Sequence, residues 1–137
     1  MNQMLLESKS RYSFDETVSK LNDIILEEGW KVLHQHDLQG IMKNNGKDIL
    51  SVKVVELCSP DYAYRLLSDD SLRIYSNMLP CRISVYQKTD GETFLSRLNP
   101  SVLASQAGGV VQEVMTSVYH DVEEMIGQLK GRYPLNG

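Results

Sequence analysis

Cysteine and proline are scarce in this sequence, which has two cysteines and four prolines in 137 residues. Small domains that depend on disulfide bonds carry a much denser cysteine pattern. A disulfide framework is therefore not expected, and we expect Cys58 and Cys81 to be free thiols.

Long apolar runs are also lacking. No run approaches the roughly 18 residues that a membrane-spanning helix needs. The N-terminal residues do not combine a basic start with a long apolar stretch, so no signal peptide is predicted. We therefore expect a cytoplasmic protein without a membrane partner.

An excess of positive charge is absent as well. The 14 basic residues are scattered among 18 acidic ones, and the net charge is −4. Nucleic-acid binding relies on clustered lysine and arginine to neutralise phosphates. We therefore expect no binding to DNA or RNA.

Catalytic motifs are missing too. The sequence contains no GxSxG, HExxH or Walker A pattern, and no nucleophile can be matched with a base. A non-enzymatic protein without a cofactor is thus favoured.

The composition that remains is that of a folded domain. Apolar residues make up 42% of the chain and charged residues 23%, both ordinary values for a globular protein. The length fits a single domain over residues 1–137 with one sizeable core.

Hydrophobic periodicity predicts the first elements. Residues 3–9 are predicted to form a short strand. Ser13 is suited to cap a helix, with Glu16 at the capping-box position and Gly29 as the stop. The predicted apolar face of this helix comprises Phe14, Val18, Leu21 and Ile25.

A second strand is predicted over residues 30–36, while residues 37–44 are ambiguous and could form a helical turn. Regular alternation along the second strand would give one face made of Trp30, Val32, His34 and His36.

Three more strands are predicted over residues 49–57, 81–86 and 92–98. The last two are joined by a hairpin turn at Asp90-Gly91.

Two further helices are predicted. Ser59 can cap a short one that has Pro60 at its first position. A long amphipathic helix follows Gly108-Gly109 and is ended by Gly131 and Pro134. Its apolar stripe comprises Val111, Val114, Met115, Val118, Val122, Met125, Ile126 and Leu129.

The order of these elements, β-α-β(4)-α, predicts an α+β fold. We expect a two-layer sandwich in which helices cover one face of a mostly antiparallel, curved sheet. Trp30 and the pair Val52 and Val54 suggest apolar positions on more than one side. Because exposed apolar area often marks an interface, we expect a homodimer.

The two cysteines stand in similar settings, each at the junction of an apolar run and a turn. Cys58 lies close to Pro60, and Cys81 follows Pro80. We expect both at neighbouring strand ends. The helix that starts near Ser59 would lower the pKa of the Cys58 thiol, whereas burial would raise it. Two interpretations of the cysteines therefore remain: a reactive thiol site, or two small side chains that only pack beside turns. The second is favoured.

His34 and His36 suggest a second, weaker site. Two imidazoles on one strand face could bind a transition metal if a neighbouring strand supplied a third ligand. The alternative is a partly solvated pair at a strand end.

Four short motifs follow one another along the chain: Cys58-Ser59-Pro60, Leu79-Pro80-Cys81, Asp90-Gly91 and Leu98-Asn99-Pro100. Taken in order, they resemble the domain-of-unknown-function 302 (DUF302) family. Ser59 and Leu98-Asn99 depart from it, since the family often has Asn and Met-Asp there. The resemblance implies a two-layer fold similar to the halves of the TATA-binding protein, homodimerisation, and cysteines that approach each other; it implies no settled activity.

Three functional hypotheses follow. The first is a homodimeric protein that binds a small apolar ligand, or acts through its interactions, without catalysis. The second is a thiol-dependent redox or metal-handling protein that uses Cys58 and Cys81. An enzyme ranks third, because no general acid and base stand out.

Overall fold

The computed structural model describes residues 4–131, in which one antiparallel sheet carries helices on one of its faces. The spatial order of the strands is β1-β5-β4-β3-β2, and every neighbouring pair is antiparallel. The strands are β1 (Leu5–Lys9), β2 (Lys31–Asp37), β3 (Val52–Cys58), β4 (Cys81–Gln87) and β5 (Thr93–Leu98). The predicted α+β class and the β-α-β(4)-α order are confirmed. Gln3 of the first predicted strand and the predicted stop at Pro134 lie outside the described residues.

Within residues 4–131, three α-helices and a short 3₁₀ helix connect the strands, and two further α-helices follow β5. The 3₁₀ helix, Arg73–Met78, and α4 were not predicted, while the ambiguous residues after β2 form α2. Gly108 and Gly109 both have positive φ, 65° and 54°, which glycine adopts without strain and which lets the chain turn between α4 and α5. The α-helices are α1 (Phe14–Glu27), α2 (Leu38–Asn44), α3 (Pro60–Leu67), α4 (Ser101–Ala107) and α5 (Gly109–Gly127).

The N-terminus of α1 is capped as its sequence predicts. The Ser13 Oγ accepts a hydrogen bond from the Glu16 backbone N–H at 3.2 Å. The Ser13 hydroxyl in turn donates to Glu16 Oε1 at 3.4 Å, so the side chains bond each other rather than completing the usual capping box. The predicted apolar face of the helix is buried.

The core lies between the sheet and the helices. Alternate residues of the three central strands point into it and have no exposed surface, namely Val55, Leu57, Ile83, Val85 and Leu95. The stripe of α5 packs against them. Full burial of one such side chain is worth about 1.5–3 kcal/mol, so this layer dominates the stability of the fold.

The predicted single face of β2 is wrong. The register of β2 against β3 shifts between Val32 and His34, with Val32 opposite Leu57 and His34 opposite Glu56. The extra residue at this bulge inverts the alternation. Val32 therefore faces the helices, while His34 lies on the opposite face of the sheet, called here the open face.

Trp30 also belongs to the helix side. It is buried, and its Nε1–H donates to Asp121 Oδ2 of α5 at 3.1 Å. It adds to the core and not to a second apolar surface. The half-buried apolar side chains of the open face include Val52 and Val54 of β3, Tyr86 of β4 and Phe94 of β5. Leu5 and Leu98, which are paired, are exposed on the same face.

Candidate functional site

A mostly apolar cavity lies where β4 and β5 separate. Their pairing runs from Gln87 opposite Thr93 to Ile83 opposite Arg97 and goes no further. Before Ile83, β4 is paired only with β3. A cavity of about 350 Å³ occupies this end of the sheet, and residues of both sheet faces line it. We call it the fork cavity.

Most of the lining of the fork cavity is apolar. The apolar side chains come from both sheet faces, from α5 and from the segment before β4; they include Val54, Met78, Pro80, Leu98, Met115, Val118 and Val122. The polar side chains are Asn77, Arg82, Ser84, Ser96, Arg97, Tyr119 and Glu123, and the thiol of Cys81 completes the wall. The cavity therefore combines an apolar interior with a few groups able to orient a ligand.

Arg97 is the main buried charge at this cavity, with only 6% of its surface exposed. Its Nε donates to Glu123 Oε2 at 2.7 Å, and its Nη2 donates to Glu123 Oε1. Its Nη1 donates to Ser8 Oγ at 2.9 Å. This bidentate ion pair links β5 to α5 beside the cavity.

Arg82 provides a second, exposed cation. Its Nε lies 3.3 Å from Glu56 Oε2, which also lies 3.2 Å from His36 Nε2. The hydrogen bond from His36, and then that from Arg82, lower the pKa of the Glu56 carboxyl. These groups form a charged cluster on the open face next to the cavity.

The cysteines lie at adjacent strand ends. Leu57 is paired with Cys81, and Cys58 is the last residue of β3. Both cysteines border a second cavity of only about 10 Å³, and Cys81 also lines the fork cavity.

The pKa values of both thiols are raised, which makes the thiols less reactive. Burial raises the pKa of Cys58, and it raises the pKa of Cys81 to about 11, with a smaller contribution from the neighbouring Cys58. α3 begins just after Cys58, but the shift of the Cys58 pKa is upward and its cause is desolvation. Because the thiolate is the reactive form, both groups are protonated and weakly nucleophilic near neutral pH.

The two candidate prolines are placed differently. Pro80 is joined to Leu79 by a cis peptide bond and lines both cavities. Pro60 is the first residue of α3, is exposed, and lines neither cavity. The structure therefore brings Pro80, Cys58 and Cys81 together but leaves Pro60 outside.

The histidine pair lies on the open face. The ring centroids of His34 and His36 are 4.4 Å apart, and Glu56 is the neighbouring carboxylate. Within residues 4–131, no group of three or more His, Cys, Asp or Glu side chains is arranged to hold a metal ion.

Arg97 and Glu123 were not predicted from the sequence. The signal for Arg97 is its position in β5, where it follows Thr93 and Leu95 at spacings of two and so shares their buried side of the strand. Such a position requires a buried partner, and Glu123 borders the apolar stripe of the final helix.

The open face also carries a polar network. Glu7 accepts hydrogen bonds from the Tyr86 hydroxyl and from Lys88 Nζ, the latter at 3.0 Å. The hydrogen bond from Tyr86, then that from Lys88, lower the pKa of Glu7. Burial, and then Glu7, raise the pKa of Tyr86 to about 12. Lys88 Nζ lies 4.1 Å from the centre of the Phe94 ring, which links this network to the apolar centre of the face.

None of the helices within the described part of the chain combines the length and the apolar character needed to cross a bilayer.

Comparison with known proteins supports the resemblance seen in the sequence. The family model "Domain of unknown function DUF302" matches residues 6–129. The crystal structure of the uncharacterized conserved protein DUF302 from Bacillus stearothermophilus superimposes with a TM-score of 0.83 at 21% identity, covering 94% of this chain and 100% of that one. No curated protein matches the chain. At this level of identity, the structural likeness shows a shared fold.

Proposed function

The chain belongs to the DUF302 family, and from that premise we propose that it is a small-ligand-binding domain without catalysis. The fork cavity carries this proposal. Its volume of about 350 Å³ lies within the range of about 300–1,000 Å³ that is usual for ligand sites. A mostly apolar wall with a few polar groups is also typical of such sites. The ligand it fits is small and predominantly apolar.

The polar groups at the cavity do not favour a reaction. Arg97 and Glu123 neutralise each other through two hydrogen bonds. The thiol of Cys81 has a pKa of about 11, so little thiolate is available at neutral pH. These groups can orient a bound molecule, but they do not provide an activated nucleophile with its base.

A thiol-dependent redox or metal-handling function is the second candidate. One observation favours it: Cys58 and Cys81 border the same small cavity. The raised pKa of both thiols counts against it. Alkylation followed across a pH series separates the two candidates, because a thiol that reacts well below the ordinary pKa of about 8.5 would favour the second.

The proposal includes a homodimer formed through the open face. Half-buried Val52, Tyr86 and Phe94 give this face an apolar centre. Charged clusters built on Glu7 and Glu56 surround that centre. An apolar centre with a polar rim is the usual anatomy of a protein–protein interface.

The ligand-binding proposal is tested by filling the fork cavity. Val122 of α5 is buried and lines the cavity, whereas Val110, on the same helix, is 40% exposed and does not line it. We expect native mass spectrometry to detect a small apolar molecule on the wild type and on Val110→Phe, but not on Val122→Phe. Circular dichroism checks that both variants fold. Equal occupancy of the two variants would contradict binding in the fork cavity.

A further inference from the structure

The buried guanidinium of Arg97 keeps two N–H donors that no group within residues 4–131 accepts. A guanidinium has five N–H donors. Within residues 4–131, three have acceptors: one each on Nε and Nη2 donates to Glu123, and one on Nη1 donates to Ser8. One N–H on Nη1 and one on Nη2 are left without a protein acceptor.

The position of Glu123 decides where the remaining Nη2 hydrogen points. Glu123 bonds the side of the guanidinium formed by Nε and Nη2. In a planar guanidinium, the second hydrogen of Nη2 therefore points toward the end shared with Nη1. This end can still donate to another group.

The open space beside this buried side chain is the fork cavity, which Arg97 lines. A buried donor without an acceptor is unfavourable, so an acceptor inside the cavity is expected to be bound well.

The charges at the cavity favour an anionic acceptor. Its charged lining consists of Arg82, Arg97 and Glu123, which is two cations and one anion. Glu123 is already paired with Arg97, and the partner of Arg82, Glu56, does not line the cavity. Because Arg82 is paired with Glu56 through Nε alone, its Nη groups have no acceptor within residues 4–131 and can still donate to an anion.

We propose that the fork cavity selects small apolar carboxylic acids, with the carboxylate bound by Arg97 and attracted by Arg82. A carboxylate matches the planar donors of a guanidinium. The apolar wall contributed by Met78, Met115 and Val118 requires an apolar body, which inorganic phosphate or sulfate lacks. This inference rests on the proposed ligand-binding function of the same cavity.

The test compares three molecules that share an eight-carbon skeleton: octanoate, octan-1-ol and octylamine. Methionine methyl NMR gives a local signal, since Met78 and Met115 line the cavity. Met42 lies in α2 and does not line it, so its methyl group is an internal control. We expect octanoate to shift Met78 and Met115 saturably, with an affinity about tenfold higher than that of the alcohol or the amine.

A pair of matched variants tests the charge at the cavity. Arg82 and Arg65 are both partly exposed and each is paired with a glutamate, but only Arg82 lines the cavity. We expect Arg82→Gln to weaken octanoate binding about tenfold and to weaken octan-1-ol binding much less. Arg65→Gln should change neither.

Arg97→Lys tests the donors directly. Lysine keeps the charge but replaces the planar fork by a single ammonium group. Once this ammonium is paired with Glu123, it cannot keep the in-plane N–H donor that the arginine offers to a carboxylate, so we expect the preference for octanoate over octan-1-ol to disappear. If this variant does not fold, the ligand series and Arg82→Gln still decide the question.

The outcomes separate this inference from the function on which it rests. Octan-1-ol or octylamine binding as tightly as octanoate would overturn the selectivity for acids and leave apolar ligand binding intact. If none of the three molecules shifts Met78 or Met115 up to its solubility limit, the ligand-binding function of the fork cavity itself is wrong.

Discussion

The two faces of the sheet contain similar chemistry in different surroundings. The face covered by helices holds the ion pair of Arg97 with Glu123, in which the arginine side chain is only 5% exposed. The open face holds the ion pair of Arg82 with Glu56, in which the arginine side chain is 65% exposed. Burial, rather than the mere presence of a guanidinium–carboxylate contact, decides how much such a contact contributes to the free energy of unfolding.

The largest expected effect comes from breaking the buried pair. Arg97→Met leaves Glu123 without its partner beside the core, and the loss of one member of a buried pair costs about 3–5 kcal/mol. Because the Glu123 side chain keeps 25% of its surface exposed, we expect about 3 kcal/mol, the lower end of that range. Urea unfolding measures the change in the free energy of unfolding.

Two controls define this result. Arg82→Met removes the exposed pair and should cost less than about 1 kcal/mol. The double variant Arg97→Met with Glu123→Leu should regain most of the loss, since it leaves no unpaired charge. Equal losses for Arg97→Met and Arg82→Met would remove the distinction between the two faces.

The second prediction concerns the apolar part of the open face. If two copies associate through it, Val52→Glu places a charge in the apolar centre of the interface. We expect the dimer dissociation constant to rise about thirtyfold, equivalent to about 2 kcal/mol for a central interface residue. Analytical ultracentrifugation over a range of concentrations measures it.

Leu26→Glu is the matched control for the dimer. Leu26 is 59% exposed on α1, on the helix side of the sheet. The Leu26→Glu substitution should leave the oligomeric state unchanged. A wild type that is monomeric at micromolar concentrations would show that the open face is simply solvated.

The covered face was the easier one to predict from the sequence. Helical periodicity predicted the buried faces of α1 and α5, and the α1 cap was visible at Ser13. These signals are local, because the periodicity of a strand or helix can be recognised within a short stretch of consecutive residues. The helix order and the family resemblance then gave the α+β class.

The features that escaped prediction depend on distant parts of the chain. The bulge in β2 inverts the faces of Val32 and His34, although the local sequence alternates evenly. Ile49 and Leu50 continue the apolar run of β3, yet they are exposed and the strand begins only at Val52. The fork cavity exists because the pairing of two strands ends early, and no periodicity within one strand reports where its neighbour departs.

The smallest expected effect is the pH dependence that the open face adds to stability. Hydrogen bonds from Tyr86 and Lys88 lower the pKa of Glu7. A carboxyl whose pKa is lower in the folded state stabilises the fold above its unfolded pKa of about 4.3, and this contribution disappears as the pH falls through the folded pKa. Burial and Glu7 raise the pKa of Tyr86 to about 12. Its contribution is therefore present below the ordinary tyrosine value of about 10 and is lost as the pH rises toward 12.

Glu7→Gln tests this network, because it removes the carboxylate that both shifts involve. Since Glu7 is exposed, we expect its replacement to cost less than about 1 kcal/mol at neutral pH. The difference between variant and wild type should shrink as the pH falls from the unfolded value of about 4.3 through the lower folded pKa of Glu7. The Glu7 contribution to the alkaline loss should also be absent. Glu124→Gln, at an exposed position of α5, controls for removing one acidic residue. Urea unfolding from pH 3 to pH 11 measures the effect, and parallel stability curves for Glu7→Gln and wild type would mean that the open-face network does not contribute to stability.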